Sequence, residues 1–103
     1  MNIMPKNRYV ISAKAKHDLK QIAKYTIENF GETQSLRYAQ GLRKVLEELA
    51  EQPQLGKNYI AVKDKMLLRY RFKSHVIFYY KNANDMFIVR VLGGRMDFPT
   101  YLK

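Results

Sequence analysis

The fold turns on three runs: Met66-Leu67-Leu68-Arg69-Tyr70-Arg71-Phe72, then His75-Val76-Ile77-Phe78-Tyr79-Tyr80, then Met86-Phe87-Ile88-Val89-Arg90-Val91-Leu92, closing on Gly93-Gly94-Arg95-Met96-Asp97. In the first run Met66, Leu68, Tyr70 and Phe72 share one face of a period-2 strand, leaving Arg69 and Arg71 on the other. Lys73-Ser74 reads as a tight turn. The second run is apolar enough for a central strand, and Asn82-Ala83-Asn84-Asp85 signals a turn before the third. Alternation in that last strand puts Phe87, Val89 and Val91 on one face and Ile88, Arg90 and Leu92 on the other. Arg69, Arg71, Arg90 and Arg95 therefore gather in this sheet or its exit loop, opposed locally by Asp85 and Asp97 alone. A sheet whose guanidinium groups outnumber their carboxylate partners is suited to an acidic ligand.

Upstream, Arg8-Tyr9-Val10-Ile11-Ser12 reads as a short first strand, with Ser12 as the N-cap of a helix. Ala15, Leu19, Ile22, Ala23, Thr26 and Phe30 recur at helical spacing, with Lys14, Lys16, Lys20 and Lys24 outside the stripe. Gly31 is a left-handed C-cap candidate. A second helix follows, with Thr33 as its cap and Tyr38, Leu42, Val45, Leu46 and Leu49 along one face. Gly41 inside it costs about 1 kcal/mol relative to Ala, which suggests close contact with the first helix. Pro53 and Gly56 end this helix, and the two pair as an antiparallel hairpin. Residues 58–64 read as an irregular loop over the sheet edge. The expected fold is α+β in the order β-α-α-β-β-β, one domain over residues 1–103. Its helices pack on one face of the sheet and the second face is partly free.

At 103 residues, with 47% hydrophobic and 13% aromatic residues, the chain can bury a single core. It has no cysteine, which excludes disulfides and thiolate metal sites and fits a reducing cytoplasm. Residues 1–8 lack the apolar core of a signal peptide, and no run is long enough to span a membrane. The formal net charge of +10 is unevenly spread: residues 1–31 hold six basic and two acidic side chains, residues 32–64 five of each, residues 65–103 eight and two. Such a field speeds encounter with nucleic acid or an acidic protein, less so as salt rises.

The order of elements meets specific residues. Asp18-Leu19 with Ile22 and Tyr25, Phe30-Gly31, Leu49-Ala50 through Pro53 to Leu55-Gly56, Leu68-Arg69, Ser74-His75-Val76-Ile77-Phe78-Tyr79, and Arg90-Val91-Leu92 through Gly94-Arg95-Met96-Asp97 follow one another along nearly the whole chain. In that order and spacing the chain resembles the RelE/ParE family of bacterial type II toxins, and within it the ParE branch. The resemblance implies a growth-arresting toxin neutralised by a cognate, acidic, ParD-like antitoxin. Poisoning of DNA gyrase is the action associated with that branch, whereas RelE-like members cut mRNA in the ribosome. One departure is plain: ParE-like sequences usually carry His after Val-Leu in the last strand, and here that position is Gly93.

Cleaving RNA needs a base, an acid and cations for the phosphate. Arg69, Arg71, Arg90 and Arg95 suit the last role. His17, in the first helix, and His75, at the opening of a strand, read as surface or structural residues. Tyr101 lies six residues after Arg95, a spacing that resembles the Arg…Tyr pair of the ribonuclease branch; Arg69, Arg95 and Tyr101 are the set if the chain is a ribosome-dependent endoribonuclease. Pro99 interrupts that segment, however, and a tyrosine placed like Tyr101 is more commonly an apolar anchor on the sheet. Asp97 reads as an ion-pair partner of Arg95. No metal cluster, phosphate-binding glycine loop or nucleophile triad is present, so no metal or cofactor is expected. The preferred reading is binding without catalysis, with Arg69, Arg71, Arg90, Arg95 and Tyr101 contacting the antitoxin or gyrase. The alternative is the RelE-type ribonuclease, and a third is a charge-driven nucleic-acid module without sequence specificity. The expected location is cytoplasmic, away from membranes.

Overall fold

The computed structural model describes residues 8–103; residues 1–7, most of the segment read as lacking a signal-peptide core, lie outside them. The elements are β1 (Arg8–Ile11), α1 (Ala13–Phe30), α2 (Glu32–Glu51), a 3-10 turn (Pro53–Leu55), β2 (Lys57–Val62), β3 (Lys65–Phe72), β4 (His75–Lys81), β5 (Asp85–Gly93) and α3 (Phe98–Leu102). They form an α+β fold around one five-stranded sheet of order β1-β5-β4-β3-β2, with β1 parallel to β5 and every other pair antiparallel. None of the described helices is long and apolar enough to cross a membrane.

The hairpin of α1 and α2 covers one face. Ala15, Leu42, Leu46, Leu49 and Ala50 pack there on Ile77, Tyr79, Met86, Ile88 and Val91. The opposite face carries its own apolar cluster of Leu67, Val76, Phe78, Leu92 and Leu102, joined by Phe98. The face expected to be partly free is thus partly roofed by α3. Sequence periodicity could not show this five-residue turn of helix, because it contains Pro99 and is too short to repeat.

Ser12 caps α1 as read: its Oγ accepts from the Ala15 amide at 3.0 Å and donates to the Val89 carbonyl at 2.8 Å, fastening the helix start to β5. Gly31 ends α1, but at φ 88°, ψ 169° it occupies a region open almost only to glycine rather than the left-handed helical one. A one-residue link must reverse the chain, so α2 starts at Glu32 with no side-chain cap, and Thr33 lies inside the helix. Gly41 has a different neighbour from the one expected. A Cβ there would sit 3.0 Å from Phe72 Cζ, so the close approach is to β3, not to α1.

The stretch read as a loop, residues 58–64, is mostly strand β2. Its register slips between Asn58 and Ile60, so Tyr59 is an extra residue and the period-2 pattern is lost. Lys63 and Asp64, both at positive φ, close the hairpin to β3. A second bulge corrects the face assignment in β5. Tyr79 pairs with Ile88 and Phe78 with Arg90, which leaves Val89 unmatched. Ile88 and Val91 therefore both reach the helix-side core, while Val89 and Leu92 join the other cluster.

Candidate functional site

The alternation of β3 holds: Leu68, Tyr70 and Phe72 pack toward the helices and Arg69 and Arg71 stay exposed on the other side. Their surroundings fix them differently. The Arg69 guanidinium lies 5.1 Å from the Tyr59 ring centre, a cation–π contact. Arg71 donates from Nη1 to the Lys73 carbonyl at 3.2 Å and lies flat against Gly94. A Cβ on residue 94 would stand 2.8 and 2.9 Å from the two terminal nitrogens of Arg71, so this approach requires glycine. Gly94 is itself held by its amide donating to the Ser74 carbonyl at 2.8 Å, which pins the β5 exit to the β3–β4 turn.

Two clefts meet at Arg71. One, of about 540 Å³, lies along Lys57, Arg69, Arg71 and Phe98. The other, of about 530 Å³, lies along Tyr25, Arg71, Ser74, His75, Arg95 and Met96. No carboxylate lines either one. Among the described residues the ion pairs within 4.0 Å are Arg8–Asp85 and Arg90–Asp18, so Arg69, Arg71 and Arg95 have no acidic partner. The expected Arg95–Asp97 pair does not form; Asp97 Oδ2 instead accepts from Thr100 Oγ1 at 2.6 Å at the start of α3.

Arg90 is placed otherwise than the other arginines. Its Nε and Nη2 donate to the two Asp18 oxygens at 2.8 Å each, and Nη1 donates to the Tyr101 carbonyl at 2.9 Å. Asp18 also accepts from the Val91 amide at 3.0 Å, capping the edge of β5 where β1 has ended. The Asp18 bonds raise the Arg90 pKa, outweighing the burial that lowers it, and keep the guanidinium charged. Arg90 is thus spent on joining α1, β5 and α3. Sequence reasoning missed Asp18 because it lies 72 residues away, yet there was a signal: Ala15, Asp18 and Ile22 stand three and four apart on the buried stripe.

Tyr101 lines neither cleft; its ring lies 5.9 Å from the Arg90 guanidinium. Arg69 and Arg95 line different clefts, so Arg69, Arg95 and Tyr101 do not converge on one point. His17 is exposed on α1. His75 does line the second cleft, with Nδ1 hydrogen-bonded to the Tyr38 hydroxyl at 2.5 Å. Burial lowers its pKa below the usual imidazole value and raises that of Tyr38, so both are neutral at pH 7. Across the ladder His75 pairs with Gly93, so its imidazole lines this cleft from the strand beside Gly93. A Cβ at residue 93 would meet Met96 at an ordinary 3.6 Å, so packing does not demand glycine there.

Comparison with known proteins adds to this geometry. No curated protein matches the sequence. A chain of the chromosomal ParDE toxin–antitoxin system from P. aeruginosa has a similar structure, with a TM-score of 0.67 over 84% of this chain and 94% of that one, at 16% identity. The model of the family described as the ParE toxin of the parDE type II toxin–antitoxin system matches residues 9–98, from β1 to the first residue of α3. The chain belongs to the ParE toxin family of type II toxin–antitoxin systems.

Proposed function

We propose that this protein arrests growth in the cytoplasm by binding DNA gyrase, and that a cognate, acidic, ParD-like antitoxin neutralises it. The observation that carries the reading is the set of unpartnered cations at one end of the sheet. Arg69, Arg71 and Arg95 border two adjoining clefts, and no carboxylate of the described chain lies within ion-pair distance of them. Arg69, held by its cation–π contact, and Arg71, held by a backbone carbonyl, lose little freedom when a carboxylate arrives, which favours charge-assisted pairing. Arg90 takes no direct part; it keeps α3 in place beside the site. The action is by grip rather than bond breaking. The test is plasmid supercoiling by purified gyrase. The expected result is a block of supercoiling or accumulation of cleaved DNA, relieved by the antitoxin; unimpaired supercoiling at saturating toxin would overturn it.

A further inference from the structure

We propose that the cleft between α1 and the β5 exit binds single-stranded nucleic acid, seating a phosphate on Arg71 and Arg95 and a base on the Tyr25 ring. This goes beyond the gyrase and antitoxin reading and stands without it. The groups facing the cleft are donors. Arg71 and Arg95 supply two unpaired guanidiniums, and Ser74 supplies a hydroxyl. His75 lines the cleft as well, a neutral imidazole whose Nδ1 is hydrogen-bonded to the Tyr38 hydroxyl. An acceptor-only anion such as a phosphodiester matches this set. Arg71 is held in advance by the Lys73 carbonyl and the flat of Gly94.

The second observation is aromatic. Tyr25 is 60% exposed on the wall of the same cleft, with Met96 also in the lining. Past Arg71 the neighbouring cleft continues the cationic track over Arg69 and Lys57, with Tyr59 under the Arg69 guanidinium. A basic groove with an accessible ring on its wall is the arrangement that holds unstacked bases and their backbone without reading sequence. A duplex would offer Tyr25 no open base face. The cleft volume of about 530 Å³ lies within the range of small-ligand sites.

The experiment is fluorescence anisotropy of the full chain with labelled ten-nucleotide oligo-dT and oligo-U, the dT·dA duplex as comparison and poly-glutamate as a rival ligand. Saturable binding of either single strand is expected, tighter than the duplex, with a log–log salt slope of about −3 for four phosphate contacts. Tyr25→Ala should weaken it about tenfold or more at unchanged slope. Arg71→Gln with Arg95→Gln should flatten the slope by about 1.4. Circular dichroism confirms that these exposed-site variants fold. Absence of saturable binding at low salt, equal binding of duplex, or indifference to Tyr25→Ala overturns the proposal. Binding of poly-glutamate alone also overturns it while leaving the antitoxin reading intact.

Discussion

Replacing Asp18 by Ala should unfold this protein more readily than any other single exchange of a charged residue. The Asp18 side chain is 9% exposed and that of Arg90 15%, so both charges have left most of their water behind. The carboxylate takes three N–H donors, two from Arg90 and one from the Val91 amide. Its loss strands a half-buried guanidinium with only the Tyr101 carbonyl, and leaves the Val91 amide unpaired. Removing one member of a buried pair costs about 3–5 kcal/mol. That is a large fraction of the roughly 5–15 kcal/mol that holds a domain together. Arg90→Met should cost a similar amount, since the carboxylate is then the stranded group. The double variant should cost clearly less than the two singles added, with a coupling of about 2 kcal/mol, because the second change removes what the first had stranded. Urea titration at constant m-value measures each cost. Single costs under about 1 kcal/mol, or strict additivity in the double variant, would refute the assignment of Arg90 to the scaffold.

Three further outcomes follow from the structure. Gly31→Ala should destabilise by about 1–3 kcal/mol in thermal or urea unfolding, because φ 88° with ψ 169° is closed to a residue with a Cβ. Stability should fall as pH drops from about 6.5, the unfolded imidazole value, towards the lower folded pKa of His75, because the unfolded chain takes up the proton first. His75→Gln should remove that part of the slope, and an NMR titration should place the His75 pKa below that of an exposed histidine. Gly94→Ala should leave the midpoint of unfolding nearly unchanged yet weaken antitoxin binding measured by calorimetry, because the new methyl displaces an exposed Arg71 rather than the core.

Much of this architecture was legible because strand β3 and the two long helices obey simple periods and β4 is a continuous apolar run. The Ser12 cap and the opposed faces of β3 follow from residue type and alternation alone. The period failed where one residue was added. Tyr59 and Val89 each put a strand out of phase, so β2 read as a loop and the faces of β5 were misassigned beyond the bulge. Ion pairs were harder still. Nearness in sequence suggested Arg95 with Asp97, whereas the fold gives Asp97 to Thr100 and brings Asp18 to Arg90. The cations of the site were visible in the sequence. Which of them remain unpaired depends on contacts between distant elements, and no local pattern records those.

On the function proposed above, Arg71 and Arg95, which have no acidic partner among the described residues, hold the acidic antitoxin at the end of the sheet. Calorimetric titration of the cognate antitoxin into wild-type protein and into the folded Arg71→Glu/Arg95→Glu variant, at two salt concentrations, tests it directly. The account predicts that charge reversal lowers affinity at least a hundredfold and removes much of the salt dependence. Unchanged affinity and salt dependence in a variant with native circular dichroism would contradict it.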